Sequence, residues 1–201
     1  MVLVRITNPM ILVTGFEPFA GATLNPSGEI AKRLQLDGVQ TAVLPVSYAG
    51  AAAKLLELIA SHKPSTVICL GQAEGRSTIS LEQVAINLDD TALADNDGET
   101  RIAKPIDREG QDAYFTTLPI RELVAELTNA GVSASVSLSA GAFVCNHIFY
   151  ELQKTLAGSG IRSGFIHLPL MDEQAHEFDG KPTMPIEVQV RAIETVIRAL
   201  G

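Results

Sequence analysis

Ile11-Leu12-Val13-Thr14-Gly15, then a loop rich in Phe, Pro and Gly, then Pro26-Ser27-Gly28-Glu29-Ile30-Ala31-Lys32-Arg33-Leu34 decides the fold class. A short β-rich run gives way to apolar residues at helical spacing, so a strand, a loop and a helix follow one another. The pattern repeats. Val39 to Val46 reads as the next strand, Ala49 to Ser61 as a helix rich in Ala and Leu, and Pro64 to Leu70 as a buried strand stopped by Gly71. This alternation predicts a mostly parallel sheet.

Further along, Ile79, Leu81, Val84 and Ile86 mark a less regular, strand-like segment, and the polar stretch Asp89 to Arg108 predicts a long loop or hairpin. Leu118-Pro119-Ile120 leads into a helix through Asn129, with Gly131 where a C-cap belongs. A strand over Val132 to Leu138, a helix over Cys145 to Leu156, a strand over Gly164 to Leu168 and an amphipathic helix over Glu187 to Leu200 complete the chain. The expected architecture is a single α/β/α sandwich over residues 10–201, built around a mostly parallel, twisted mixed sheet. Met1 to Pro9, ahead of the second methionine Met10, reads as an N-terminal extension. Ligands of such sheets gather at the carboxyl ends of strands, and Gly15, Gly71, Gly141 and His167 are expected there.

The chain has 201 residues, 46% hydrophobic and 19% charged, which suits one well-buried domain with a large core and favours a homo-oligomer. A net charge of −8, with no cluster of Lys and Arg among aromatics, argues against a nucleic-acid partner. No apolar run is long enough to span a bilayer, and the N-terminus lacks a signal-peptide pattern, so a membrane partner is not expected. The two cysteines, Cys69 and Cys145, form no C-x-x-C pair; neither a disulfide nor a metal site is indicated, and a cytoplasmic, reducing location is expected.

Cys145 lies in Ser139-Ala140-Gly141-Ala142-Phe143-Val144-Cys145-Asn146-His147, where a strand meets a small-residue turn and a helix begins. A thiol at a helix N-terminus feels aligned N–H groups and the positive end of the dipole, which favour the thiolate. The same turn offers N–H donors to an oxyanion. A nucleophile of this kind needs a base and a group to orient it. His147, two residues on, points away on a helix and reads as a packing residue. His62 and His176 sit in polar surroundings and read as surface residues. His167 ends the apolar run Phe165-Ile166 before Leu168-Pro169 and is the best base, a structural strand-end histidine being the alternative. Glu82, among apolar neighbours, is the candidate acid; the other reading is an exposed edge residue. Phe16 and Phe19, on either side of Pro18, can sandwich a small flat ligand or plug the loop over the core. No phosphate-binding glycine pattern is present there.

These segments together resemble the pyroglutamyl peptidase I family of cysteine peptidases. The resemblance is carried by Val13-Thr14-Gly15-Phe16-Glu17-Pro18-Phe19, Asn25-Pro26-Ser27, Gly71-Gln72-Ala73, Gly75-Arg76-Ser77, Leu81 to Asn87, Ala113 to Ile120, Ser139 to Tyr150 and Gly164-Phe165-Ile166-His167. It implies a Glu82, Cys145, His167 triad acting through an acyl-enzyme on N-terminally pyroglutamylated peptides, with no metal and no cofactor. It also implies a lactam slot lined by Phe16, Phe19, Phe143 and Val144 with Gln72 beside it, and a homo-oligomer, commonly a tetramer.

Two positions depart from the family pattern. Asp90-Thr91-Ala92-Leu93-Ala94-Asp95-Asn96 carries Ala92 where the family has an arginine associated with the oxyanion, and Glu74 stands where a small residue is usual. Loss of one oxyanion donor costs on the order of 10²–10³ in turnover when nothing replaces it. Ala92 therefore motivates an alternative, a catalytically weak homologue that binds pyroglutamyl or other lactam ligands. A nucleoside- or phosphate-binding protein on a similar scaffold is a third reading, without a phosphate loop to support it.

Overall fold

The computed structural model describes residues 10–201; the expected extension over residues 1–9 lies outside them. Ten strands and five helices follow in the order β1 (Ile11–Phe16), α1 (Pro26–Arg33), β2 (Val39–Leu44), α2 (Tyr48–His62), β3 (Thr66–Gln72), β4 (Ile79–Glu82), β5 (Val84–Ile86), β6 (Asp89–Thr91), β7 (Arg101–Lys104), β8 (Ala113–Phe115), α3 (Ile120–Asn129), β9 (Ala134–Ser137), α4 (Val144–Leu156), β10 (Arg162–Leu168) and α5 (Ile186–Leu200). Six strands form the main sheet, ordered β2-β1-β3-β10-β4-β9. β2, β1, β3 and β10 are parallel, while β4 and β9 are parallel to each other and run against β10. The sheet is mostly parallel and mixed, as the alternation predicts.

Strand residues alternate between two faces. Ile68, Leu70, Leu81, Ile166 and Leu168 face a core closed by α1, α3 and α5. Leu12, Cys69 and Phe165 face the other core, closed by α2 and α4. Local signals explain the helix starts. Asn25 caps α1, its side chain accepting from Ser27 N with Pro26 at the first helical position, and Ser47 caps α2 through Gly50 N. Gly131, with φ +75°, follows α3 in the left-handed conformation that an L side chain rarely adopts.

Three readings need correction. Gly15 and Gly71 do not stop their strands; both lie inside them, and each serves as a point of close approach. A Cβ on Gly15 would stand 2.0 Å from the Ser27 carbonyl oxygen, so α1 can press this closely on β1 at that point only because the side chain is missing. The strand expected over Val132 to Leu138 is only Ala134–Ser137, since this edge strand pairs with β4 alone and Leu138 is 73% exposed. Finally, β9 runs against β3 and β10, so Gly141 does not follow a strand that points to their shared carboxyl edge. The polar stretch after Asp89 is a hairpin of β6 and β7.

Candidate active site

Strand alternation brings the expected residues to one face. Phe165 faces the α2 and α4 side, so His167, two residues on, does too, and Glu82 follows the same rule on β4, where Leu81 faces the other core. His167 Nδ1 lies 2.8 Å from Glu82 Oε1, with both side chains buried. Arg76 Nη1 donates to that same oxygen at 2.7 Å, and its Nη2 donates to the Ser139 carbonyl at 2.9 Å. Donation of Nδ1–H to the carboxylate leaves Nε2 of His167 as the acceptor.

Gly71 is the register partner of His167 on the adjacent strand. A Cβ there would stand 2.9 Å from Cys145 Sγ and 2.8 Å from the Phe165 ring. The missing side chain is therefore the seat of the thiol, which α4 lowers onto the sheet beside the histidine. Among the described residues the thiol makes no hydrogen bond. Cys145 is the second residue of α4, whose N-cap, Phe143, provides no side-chain acceptor. The first N–H groups of such a helix have no partner within the helix and are available to an anion.

Next to Sγ is a slot lined by Phe16, Phe19, Asn25, Val46, Gln72, Phe143, Val144 and Cys145. All five residues expected to line a binding slot are among them. The ring facing Phe19 is Phe143, at 6.0 Å between centroids, so the aromatic clamp pairs the loop after β1 with the start of α4. The slot holds about 10 Å³ at rest, the room of about one water. A ring-sized ligand needs its walls to part. A larger hollow of about 350 Å³ between Ile11, Leu36 and Ile197 lies at the amino end of β1 and β2 and contains none of these groups.

The β6–β7 hairpin braces this aromatic loop. Asn96 Nδ2 donates to Glu17 Oε1 at 2.8 Å and to the Pro18 carbonyl at 2.9 Å, while Asp90 N–H donates to the Ala142 carbonyl at 2.9 Å. Ala92 is exposed on this hairpin. His147, expected to pack, does so: its Nδ1 is 2.9 Å from Asp89 Oδ2 and its ring meets Tyr48 edge-on at 5.3 Å. His176 is exposed, as expected from its polar setting. Sequence reasoning missed Asn25 and Val46 as slot residues. Asn25 carried a readable signal, but it was that of a helix cap.

A model of the pyroglutamyl peptidase family matches residues 9–201. The chain belongs to that family. It is similar to pyrrolidone-carboxylate peptidases of Gloeobacter violaceus, 43% identical with 94% of this chain and 96% of the relative covered, and of Bacillus licheniformis, 44% identical with 94% and 92% covered. Among solved structures it superposes on pyroglutamyl peptidase I from Bacillus amyloliquefaciens with a TM-score of 0.91 at 38% identity, covering 94% of this chain and 93% of the other. A mutant pyrrolidone carboxyl peptidase from Pyrococcus furiosus gives 0.89 at 36% identity, with 94% and 96% covered.

In this member of the family the electrostatics of the site depart from one expectation. Cys145 keeps partial exposure, yet its sulfur is packed against Gly71. Burial, then the Glu82 carboxylate and Cys69, pushes the thiol up to about 12, with Arg76 opposing. Desolvation of the sulfur opposes the preference for thiolate expected at a helix N-terminus. Burial also pulls His167 below its ordinary value, against the hydrogen bond and charge of Glu82. For Glu82, burial raises the carboxyl, but the His167 hydrogen bond and charge, then Ser137 and Arg76, hold it below its ordinary value. Burial thus disfavours the charged forms of both Cys145 and His167.

Proposed function

We propose that the protein hydrolyses the bond following an N-terminal pyroglutamyl residue, with Cys145 as nucleophile, His167 as general base and acid, and Glu82 as the group that orients His167. The observation that carries this reading is the 2.8 Å Glu82–His167 hydrogen bond beside the Gly71 seat of Cys145. His167 Nε2 takes the thiol proton as sulfur attacks the scissile carbonyl, so thiolate forms during attack rather than beforehand. The oxygen of the tetrahedral intermediate takes up N–H groups left free at the start of α4, donors that do not depend on a side chain at position 92. Imidazolium then protonates the departing amine. Water, deprotonated by the same ring, attacks the thioester and releases pyroglutamate.

The slot supports the substrate class. Phe16, Phe19, Phe143 and Val144 offer apolar walls to a flat, uncharged lactam, whereas an ordinary N-terminal ammonium loses its hydration there without a counter-charge. Gln72 supplies a polar contact at the edge. A reducing, cytoplasmic location belongs to this reading, because the thiol must stay unoxidised. Among the described residues no helix is long and apolar enough to cross a membrane. Assembly into a homo-oligomer also belongs to it, supported by the exposed Ile102, Phe115 and Leu138; sedimentation velocity reads the assembled mass.

The test is release of a fluorescent amine from a pyroglutamyl amide, with an unblocked glutamyl amide and Cys145→Ala as controls. Release confined to the pyroglutamyl substrate and reduced by at least about 10⁴ in the variant is expected. Equal release by the folded variant removes Cys145 from the chemistry.

A further inference from the structure

Gln174 lies outside the slot, in a single 3-10 turn, Asp172–Gln174, and is completely buried. Its amide is oriented by two backbone groups whose roles are unambiguous. The Met171 N–H can only donate, so the atom 3.1 Å from it is Oε1; the Leu24 carbonyl can only accept, so the atom 3.1 Å from it is Nε2. The remaining hydrogen on Nε2 points to the Gln72 side chain, 2.9 Å away. The atom of Gln72 that receives it must be an acceptor, its Oε1. The Gln72 amide cannot flip without setting two N–H groups against each other in a buried place. Its Nε2, which bonds to no described residue, is then the atom left for the slot that Gln72 lines.

We infer that Gln174 is a positioning residue for substrate recognition: it locks the Gln72 amide so that the slot offers a donor, and so selects a five-membered ring carrying a carbonyl acceptor. The inference rests on the proposed lactam-binding reading and deepens it. Gln174 itself touches no substrate. It also ties the loop before α1, through Leu24, to β3, through Gln72, so the polar wall and the aromatic wall of the slot are set in one network.

The test uses Gln174→Met, close in volume but without the amide, and Gln174→Glu, which still accepts from Met171 but has no hydrogen for Gln72. Each is made in the wild type and in Gln72→Met, with two readouts: KM and kcat for a pyroglutamyl amide, and the rise in melting temperature with 2-pyrrolidinone, the smallest γ-lactam. In the wild-type background KM should rise about tenfold with kcat within about twofold, and the lactam-induced rise in melting temperature should shrink. In the Gln72→Met background the same substitutions should change KM less than about twofold, because the group they position is gone. Equal penalties in both backgrounds show a purely structural role and overturn the inference, as does no penalty in either. Gln174→Glu serves where Gln174→Met does not fold. Wild-type protein that is stabilised by 2-pyrrolidinone yet releases no amine defeats the peptidase reading and leaves the Gln174 comparison measurable; protein that does neither overturns both.

Discussion

Two histidine–carboxylate–arginine groups, each with a buried histidine and carboxylate, lie in this molecule, nearly alike in geometry. In one, Glu82 Oε1 is 2.8 Å from His167 Nδ1 and 2.7 Å from Arg76 Nη1. In the other, Asp89 Oδ2 is 2.9 Å from His147 Nδ1 and 2.9 Å from Arg101 Nη1. Both carboxylates are fully buried. The difference lies in what faces the imidazole. His167 has Gly71 as its strand neighbour, and the space Gly71 leaves is filled by a thiol. His147 packs on the edge of Tyr48, whose ring is also covered by the Arg101 guanidinium at 4.3 Å and holds Phe143 at 5.8 Å. A histidine held by an acid is thus a structural device as readily as a catalytic one. A nucleophile within the same pocket, on a seat shaped for it, makes the distinction.

The comparison breaks most visibly under isosteric removal of charge. Glu82→Gln should lower kcat by about 10³–10⁴, through loss of the carboxylate charge that fixes the His167 tautomer and stabilises its imidazolium. Asp89→Asn should leave kcat within about tenfold of wild type but lower unfolding stability by up to about 3 kcal/mol, by breaking a buried pair that ties the β6–β7 hairpin to α4. Amine release and urea unfolding on both variants check this; a larger catalytic loss from Asp89→Asn than from Glu82→Gln would reverse the assignment. Next in size, Gly71→Ala should reduce kcat about 10²-fold, because its Cβ displaces Sγ and the Phe165 ring, with a stability cost of about 1–3 kcal/mol. Unchanged turnover in the alanine variant would mean that the thiol is not held by its seat.

Smaller effects sharpen the electrostatic contrast. With the Cys145 thiol pushed up to about 12, alkylation of the free protein by iodoacetamide should be slow at neutral pH and still rising above pH 9. A plateau reached below pH 8 would instead give the helix N-terminus the upper hand over desolvation. The smallest effect is on acid stability. His167 folds with a lowered pKa, so the unfolded chain binds more protons as pH falls below 6.5, and stability drops with it. Glu82 is also lowered, so its contribution, present above 4.5, is lost as pH falls further. Urea midpoints should therefore fall in two stages on acidification, and Glu82→Gln should shrink the lower one. A midpoint indifferent to pH between 7 and 4 would contradict both directions.

Local signals determined much of this protein by sequence alone. Period-2 and helical patterns, the caps Asn25 and Ser47 and the terminator Gly131 act within a few residues, so strand, helix and layer order were readable from them. The choice of Cys145, His167 and Glu82 was legible for a similar reason: reactive side chains stood out in apolar or turn contexts, and a resemblance along most of the chain linked them. Tertiary structure alone decided the rest. Only the pairing of β4 against β10 reverses β9 and puts Glu82 within hydrogen-bond reach of His167. Gly15 and Gly71 read as stops because a missing side chain looks the same in sequence whether it ends a strand or admits a neighbour. Gln174, in a polar stretch with no local pattern, gains meaning only from Leu24, Gln72 and Met171, two of them over a hundred residues away in the chain. The raised thiol followed the same logic. The dipole that favours a thiolate is written into a helix start, whereas the desolvation that opposes it depends on what other parts of the chain press against the sulfur.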